Sequence, residues 1–191
     1  MSRNRITAGP KSVVCQETEL KGEISIGAGT VLHPQCRVIA ENGPIYIGKN
    51  NIIEENVIIF NKNSTPLVIG DDNEFEVGCC RFDERNNQFI MDIDQDNLDI
   101  EGSRIGNNNI VESRARIVGS TSVGNYCVIG SGCSTESNET IPDLTIIYGF
   151  QSKRRNQSEP LATQATLHAR HLDYLREVLP KYNHLKKLES S

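Results

Sequence analysis

An aliphatic residue recurs at every sixth position through most of the first 150 residues. Val14, Leu20, Ile26, Leu32 and Val38 are each six apart. The beat resumes at Ile47, Ile53 and Ile59, then at Ile69 with Phe75. A second run reads Ile105, Val111, Ile117, Val123, Ile129, Thr135, Ile141 and Ile147, broken only by Thr135. Gly follows the aliphatic residue at Gly27, Gly48, Gly70, Gly106, Gly124 and Gly130. Four positions after the aliphatic residue sits a compact one, among them Thr30, Cys36, Asn51, Val57, Asn73, Cys79, Asn109, Ala115, Thr121, Cys127, Cys133 and Thr145. A period of six fits neither 3.6 nor 7, and β-branched residues with Gly and Asn are poor helix formers. The pattern predicts an all-β solenoid, a parallel β-helix of hexapeptide repeats. Each hexad is a short strand and a turn, three hexads close a triangular coil, and coils stack about 4.8 Å apart. The aliphatic residue fills the axis, the compact one a corner, and GKNN, GDDN and GNNN supply turn residues that tolerate a left-handed backbone.

Residues 14–150 are assigned to this prism and residues 1–13 to an N-terminal arm. Residues 39–46 and 60–68 are expected to protrude as loops. Residues 82–101 form a larger insertion with seven acids and one base. It is read as a solvated loop, since its acids lack the spacing, central Gly and closing Glu of a calcium loop. The shared phase of IGKNNIIEENV, IGDDNEFEVGC and IGNNNIVESRA puts Ile53, Phe75 and Val111 in one inner column. Glu54, Glu76 and Glu112 would then form an outward ladder, where like charges at strand spacing repel. Bases nearby, or a partner, are expected to neutralise them.

The tail has a different period. His168, Leu172, Leu175, Leu179 and Tyr182 share one face of a helix. Ser158, Glu159 and Pro160 look like its start, and Pro180 is expected to kink or end it, leaving Lys181–Leu188 as a short second segment. Residues 151–159 are assigned to a linker and 160–191 to the helix and tail. The helix is expected to pack back on the prism, leaving some apolar area for a partner. Leu172, Leu175, Leu179 and Tyr182, with Glu54, Glu76 and Glu112, are therefore the interface candidates.

Composition fits a core of stacked aliphatics: aromatics make up 5% and Trp is absent. The net charge of −5 argues against general nucleic-acid binding. It divides into −9 for residues 1–150 and +4 for 151–191, marking two structural units of opposite sign. No stretch approaches the length of a membrane span, and the N-terminus lacks the apolar segment of a secretory signal. The six cysteines, Cys15, Cys36, Cys79, Cys80, Cys127 and Cys133, form no CxxC pair. They are read as reduced, small buried hydrophobes in a cytosolic protein.

Hexapeptide β-helices resemble two enzyme groups, acyltransferases with a catalytic His between subunits and γ-class carbonic anhydrases with three His on zinc. The latter family reads roughly I-G-x-x-x-x-I-x-D/E-x-x-V-x-H. Laid from Ile47-Gly48 and then Ile69-Gly70, its ligand positions fall on Phe60, Val77 and about Phe82, none of which offers a donor to zinc. Of four histidines only His33 lies in the repeats. His168 and His171 are spaced to grip a metal, but no third ligand is near in sequence. No metal, cofactor or catalytic residue is expected.

Four segments carry a more specific resemblance. They are VVCQETELKGEISIGAGTVLHPQCRVIAENGPIYIGKNNIIEE (Val13–Glu55), FEVGCC (Phe75–Cys80), IPDLTIIYGFQSKRR (Ile141–Arg155) and LDYLREVLPKYNHLKK (Leu172–Lys187). Together they resemble the dynactin subunit 6 family. The resemblance implies a left-handed coil and a non-catalytic subunit of the dynactin complex, the dynein activator. It also implies a place in the heteromeric pointed-end complex with dynactin subunit 5, dynactin subunit 4 and the pointed-end actin-related protein. Capping, cargo attachment and a cytoplasmic, cytoskeleton-associated location follow, with a kinetochore pool in mitosis. No nucleic acid or membrane insertion is implied. The acidic insertion looks longer than the family's usual connection. The Thr-Pro phosphorylation site of some relatives is missing near Leu188-Glu189-Ser190-Ser191, so that regulation is not carried over. The competing expectation is a divergent acyltransferase-like homotrimer using His33.

Overall fold

The computed structural model describes residues 4–79, 104–160 and 162–190. The acidic insertion, Cys80 and Phe82 lie outside the described residues. The chain is a left-handed parallel β-solenoid with one helix near its C-terminus.

Hexads with a full 18-residue coil between them stack without offset, Val13 beside Val31 and Ile110 beside Val128. One face is built from Arg5–Ala8, Glu23–Ile26, Ile45–Ile47, Leu67–Ile69, Arg104–Ile105, Ser122–Val123 and Thr140–Ile141. A second runs through Val13–Val14, Val31–Leu32, Ile52–Ile53, Glu74–Phe75, Ile110–Val111, Val128–Ile129 and Thr145–Tyr148. The third face has regular strands only at Glu19–Lys21, Arg37–Ala40 and Ile58–Asn61 among the described residues. Successive rungs of each face pair in parallel with one another. Coils that carry extra residues keep the register by extruding them. Ile52 sits beside Glu74, and Glu74 beside Ile110 across the insertion.

The hexad aliphatics form one continuous core: Leu32, Ile53, Phe75, Val111, Ile129 and Ile147 are all buried in it. Each buried Ile, Leu or Phe contributes about 1.5–3 kcal/mol against solvent exposure. The corner slots are buried as well. Cys36, Cys79, Ala115, Cys127 and Cys133 fill some of them. Polar slots stay satisfied by bonding up the stack. The Asn73 N–H and Nδ2 donate to Asn51 Oδ1, each at 3.0 Å. The Asn109 N–H donates to Asn73 Oδ1 at 2.9 Å, and the Cys127 N–H to Asn109 Oδ1 at 2.7 Å.

The turns need a left-handed residue, and Asn50, Asp72 and Asn108 supply it with φ of 53°, 58° and 56°. Tyr126 and Leu144 occupy the same conformation at 55° and 62° despite the cost to a bulky residue. Their N–H groups donate to carbonyls of the preceding coil, Asn107 and Asn125, so the stack imposes the turn. The glycines after the aliphatic residue answer a different need. A Cβ on Gly70 would strike the Asn107 amide oxygen and stand 2.6 Å from the Gly106 carbonyl.

The ends differ from the arm-and-linker expectation. Residues 5–8 are the first rung, and Lys153–Asn156 folds back antiparallel on Thr145–Tyr148. The helix runs Gln164–Tyr182, and its cap position falls on Thr163, five residues after the expected Ser158, with no side-chain cap bond. Pro180 stays inside its last turn. Its ring removes the N–H that would bond to the Arg176 carbonyl, and the helix closes two residues later with the Asn183 N–H on the Leu179 carbonyl. Beyond it the chain is extended rather than helical. Leu185 bridges Cys15, the Lys186 N–H reaches the Val14 carbonyl, and Glu189–Ser190 pairs with Thr7–Ala8. The tail thus covers the N-terminal rim of the prism, where exposed strand edges would otherwise be left.

Candidate functional site

The helix lies along the outward side of the second face. There the outward column reads Val13, Val31, Ile52 and Glu74, and Leu172, Leu175 and Leu179 close over the first three together with Cys15. The three leucines are spent on the chain's own prism. Tyr182 falls outside this seam and is 81% exposed, since the helix ends there.

Polar groups fix the helix in place. Arg176 donates Nε and Nη2 to the Gly29 carbonyl at 3.1 and 2.6 Å, and Nη2 also to Asn50 Oδ1 at 2.9 Å. Gln164 Nε2 donates to the Asn108 carbonyl at 2.9 Å. His168 is buried, with Nε2 at 2.7 Å from the Asn50 carbonyl. His171 Nδ1 stands 2.9 Å from Glu74 Oε1, and His168 Nδ1 lies 3.7 Å from Glu74 Oε2. Burial works against the Glu74 charge, but the two imidazoles outweigh it and lower its pKa. Burial likewise works against the charged form of His168. The Glu74 carboxylate, the Asn50 carbonyl and the Asp72 charge outweigh that and raise its pKa. Sequence reasoning missed Glu74. Its signal was an acid in an outward column otherwise filled by Val and Ile.

The ladder Glu54, Glu76 and Glu112 lies in register, but the remedy for its charge differs from the expected bases or partner. Glu54 Oε2 accepts the Val77 N–H at 3.0 Å. Glu76 Oε2 accepts the Ser113 N–H and hydroxyl at 3.0 and 2.9 Å, and Glu112 Oε2 those of Ser131 at 2.8 and 3.2 Å. Each carboxylate is held by backbone donors one coil on, which stabilises an anion without a counter-charge. Glu54 is the odd member. Burial, helped by the Glu74 charge, raises its pKa against the Val77 N–H and the His33 and His171 rings.

The enzyme positions carry no accessible chemistry among the described residues. Phe60 lies under the Lys62 ammonium, 5.7 Å from ring centre, and Val77 is partly exposed. His33 is buried, its Nδ1 is 2.9 Å from Glu55 Oε1, and its enclosed Nε2 meets no partner. A ring closed in this way offers no face to an acyl donor. Cys15, Cys36, Cys79, Cys127 and Cys133 are buried thiols. Burial pushes the Cys15 thiol up to about 11 and the Cys36 thiol up to about 12, away from the thiolate a nucleophile needs. Exposed apolar side chains include Leu167, Tyr174 and Tyr182 on the helix, Tyr148 and Phe150 near the last coil, and Tyr46, Val68, Val77 and Tyr126 along the prism. No helix among the described residues is long and apolar enough to cross a membrane.

Comparison with known proteins completes the picture. No protein-family profile matches the chain. It is 41% identical over 194 residues to dynactin subunit 6 of Nematostella vectensis, covering 98% of this chain and 95% of that one. It is 37% identical over 199 residues to dynactin subunit 6 of Danio rerio, covering 98% and 89%. Among solved structures, a hexapeptide transferase family protein from Anaplasma phagocytophilum superposes with a TM-score of 0.70 at 11% identity, covering 93% of this chain and 92% of that one. That likeness concerns the fold alone. Identity at this level along nearly the whole chain, over a prism whose enzyme positions are closed or empty of donors, places the chain in the dynactin subunit 6 family.

Proposed function

We propose that the chain is a non-catalytic architectural subunit of the dynactin complex. Its place is in the pointed-end assembly, beside dynactin subunit 5, dynactin subunit 4 and the pointed-end actin-related protein, supporting cargo attachment for dynein-driven transport. The observation that carries this reading is the near-full-length relationship to dynactin subunit 6 proteins. The buried His33 and the buried, high-pKa thiols of Cys15 and Cys36 agree with it, because none of the three is a poised base or nucleophile. Its location is the cytoplasmic, cytoskeleton-associated complex, and the kinetochore pool in mitosis rests on the family resemblance.

The surfaces favour heteromeric assembly. The tail closes the N-terminal rim, whereas the last rung, Thr140–Ile141, ends its sheet. An uncovered solenoid end is a docking edge. Tyr182 is the interface candidate that remains open, while Leu172, Leu175 and Leu179 act indirectly by seating the helix. Glu54, Glu76 and Glu112 keep a weaker claim, since backbone donors already hold them. Affinity purification of the full chain from cell extract, with mass spectrometry, should recover the other pointed-end subunits. A stable homotrimer that recovers none of them would overturn the proposal and favour the acyltransferase alternative.

A further inference from the structure

The seam between helix and prism gathers metal-ligand chemistry that the sequence scatters over more than a hundred residues. Glu54 follows the strand Ile52–Ile53, Glu74 opens the strand Glu74–Phe75 of the next coil, and His171 sits mid-helix. One ligand atom from each lies within 4.8 Å of the others. We propose that Glu54, Glu74 and His171 form a binding site for a zinc-class divalent cation that pins the C-terminal helix to the β-helix.

Two features carry this. First, the donors suit the ion. Imidazole nitrogen with carboxylate oxygens is a set that zinc-class cations accept, and solvent can complete the shell beside the one-third-exposed His171 side chain. Metal–ligand distances of about 2.0–2.2 Å put neighbouring donors roughly 3–3.5 Å apart. The 2.9 Å between His171 Nδ1 and Glu74 Oε1 is already of that order, and a ligand atom of Glu54 lies within 4.8 Å of both residues' donors. Secondly, the site gathers two carboxylates, while Arg176, on the same helix, is occupied by Gly29 and Asn50. Among the described residues Glu54 is bonded through Oε2, to the Val77 N–H.

On metal binding, His171 ligates through Nδ1 and keeps a neutral ring by carrying its proton on Nε2. The sequence expectation of no metal covered the γ-type positions at Phe60, Val77 and Phe82 and also the pair His168 and His171, for which no third ligand was near in sequence; this proposal departs from it, because the fold brings Glu54 and Glu74 to His171.

The test uses the full chain, stripped with a chelator and titrated with Zn2+ and Co2+. One saturable equivalent, a raised thermal midpoint and a Co2+ spectrum without thiolate charge-transfer bands are expected. His171→Gln and Glu54→Gln should each weaken binding at least tenfold while circular dichroism stays unchanged. No saturable binding by the wild-type chain would overturn the proposal. So would undiminished binding by both variants, or thiolate bands that assign the metal to cysteines.

Discussion

Replacing Asn73 with Ala tests the buried corner ladder that threads the coils together. Asn73 is fully buried, and its Oδ1 is the acceptor for the Asn109 N–H at 2.9 Å. Its Nδ2 also donates to Asn51 Oδ1. Alanine leaves the Asn109 N–H without a partner in a space closed to water, at about 1–3 kcal/mol, and deletes a second bond worth about 1 kcal/mol. The expected loss is therefore about 2–4 kcal/mol, read as a lower urea midpoint at unchanged slope. Asn73→Thr is the control. Thr30 occupies the equivalent slot lower in the stack, and its Oγ1 accepts the Asn51 N–H at 3.1 Å. Threonine at position 73 should restore the acceptor and bring the loss down to about 1 kcal/mol. Equal losses for Ala and Thr would show that the slot measures volume rather than hydrogen bonding. A loss for Ala below about 1 kcal/mol would refute the ladder argument.

Leu175→Ala should cost about 2–5 kcal/mol in urea unfolding, because its side chain is buried against the outer column of the prism; a cost near zero would mean that the helix is not seated there. Deleting residues 160–191 should lower solubility as well as partner binding, since it bares Val13, Val31 and Ile52; a soluble, folded truncation that loses only its partner would refute self-packing. The helix seam should be strongest between pH 4.5 and 6.5, the unshifted Glu and His values. Glu74 has a lowered folded pKa, so its contribution is present above 4.5 and fades as pH falls through the folded value. His168 has a raised one, so its contribution is complete below 6.5 and fades as pH rises through the folded value. The difference in urea midpoint between wild type and Glu74→Gln, followed against pH in chelator, should peak in that window; a flat difference would refute the pairing. Gly70→Ala should destabilise by several times the usual alanine effect, since its Cβ meets the next coil's backbone; wild-type stability would show that the coils can shift apart.

The solenoid was legible because its cause is local and repeated. Ile53, Phe75 and Val111 recur in phase, and stacking hexads in that phase is the arrangement that buries them in one axis. Cys36, Cys79, Cys127 and Cys133 were legible as corner fillers for the same reason. The buried helix face of His168, Leu172, Leu175 and Leu179 followed from a 3.6-residue period. The helix boundary was less legible. Ser158 has the chemistry of a cap, but packing of the buried face on the prism decides where the helix begins.

What the chain's own order of residues determined, then, was everything set by neighbours within a hexad or a helical turn: the repeat, its inner column, its corners and the apolar stripe of the tail. Tertiary structure alone decided contacts across coils. It fed the Glu54, Glu76 and Glu112 ladder with backbone N–H groups one coil on, held Tyr126 and Leu144 in left-handed turns, and brought His171 to Glu74, 97 residues away. It also returned the last residues to cover the first rung. The physical reason is that these partners depend on how many residues each coil extrudes before rejoining the stack. That register is set by burial of the whole axis, and no local pattern of side chains encodes it.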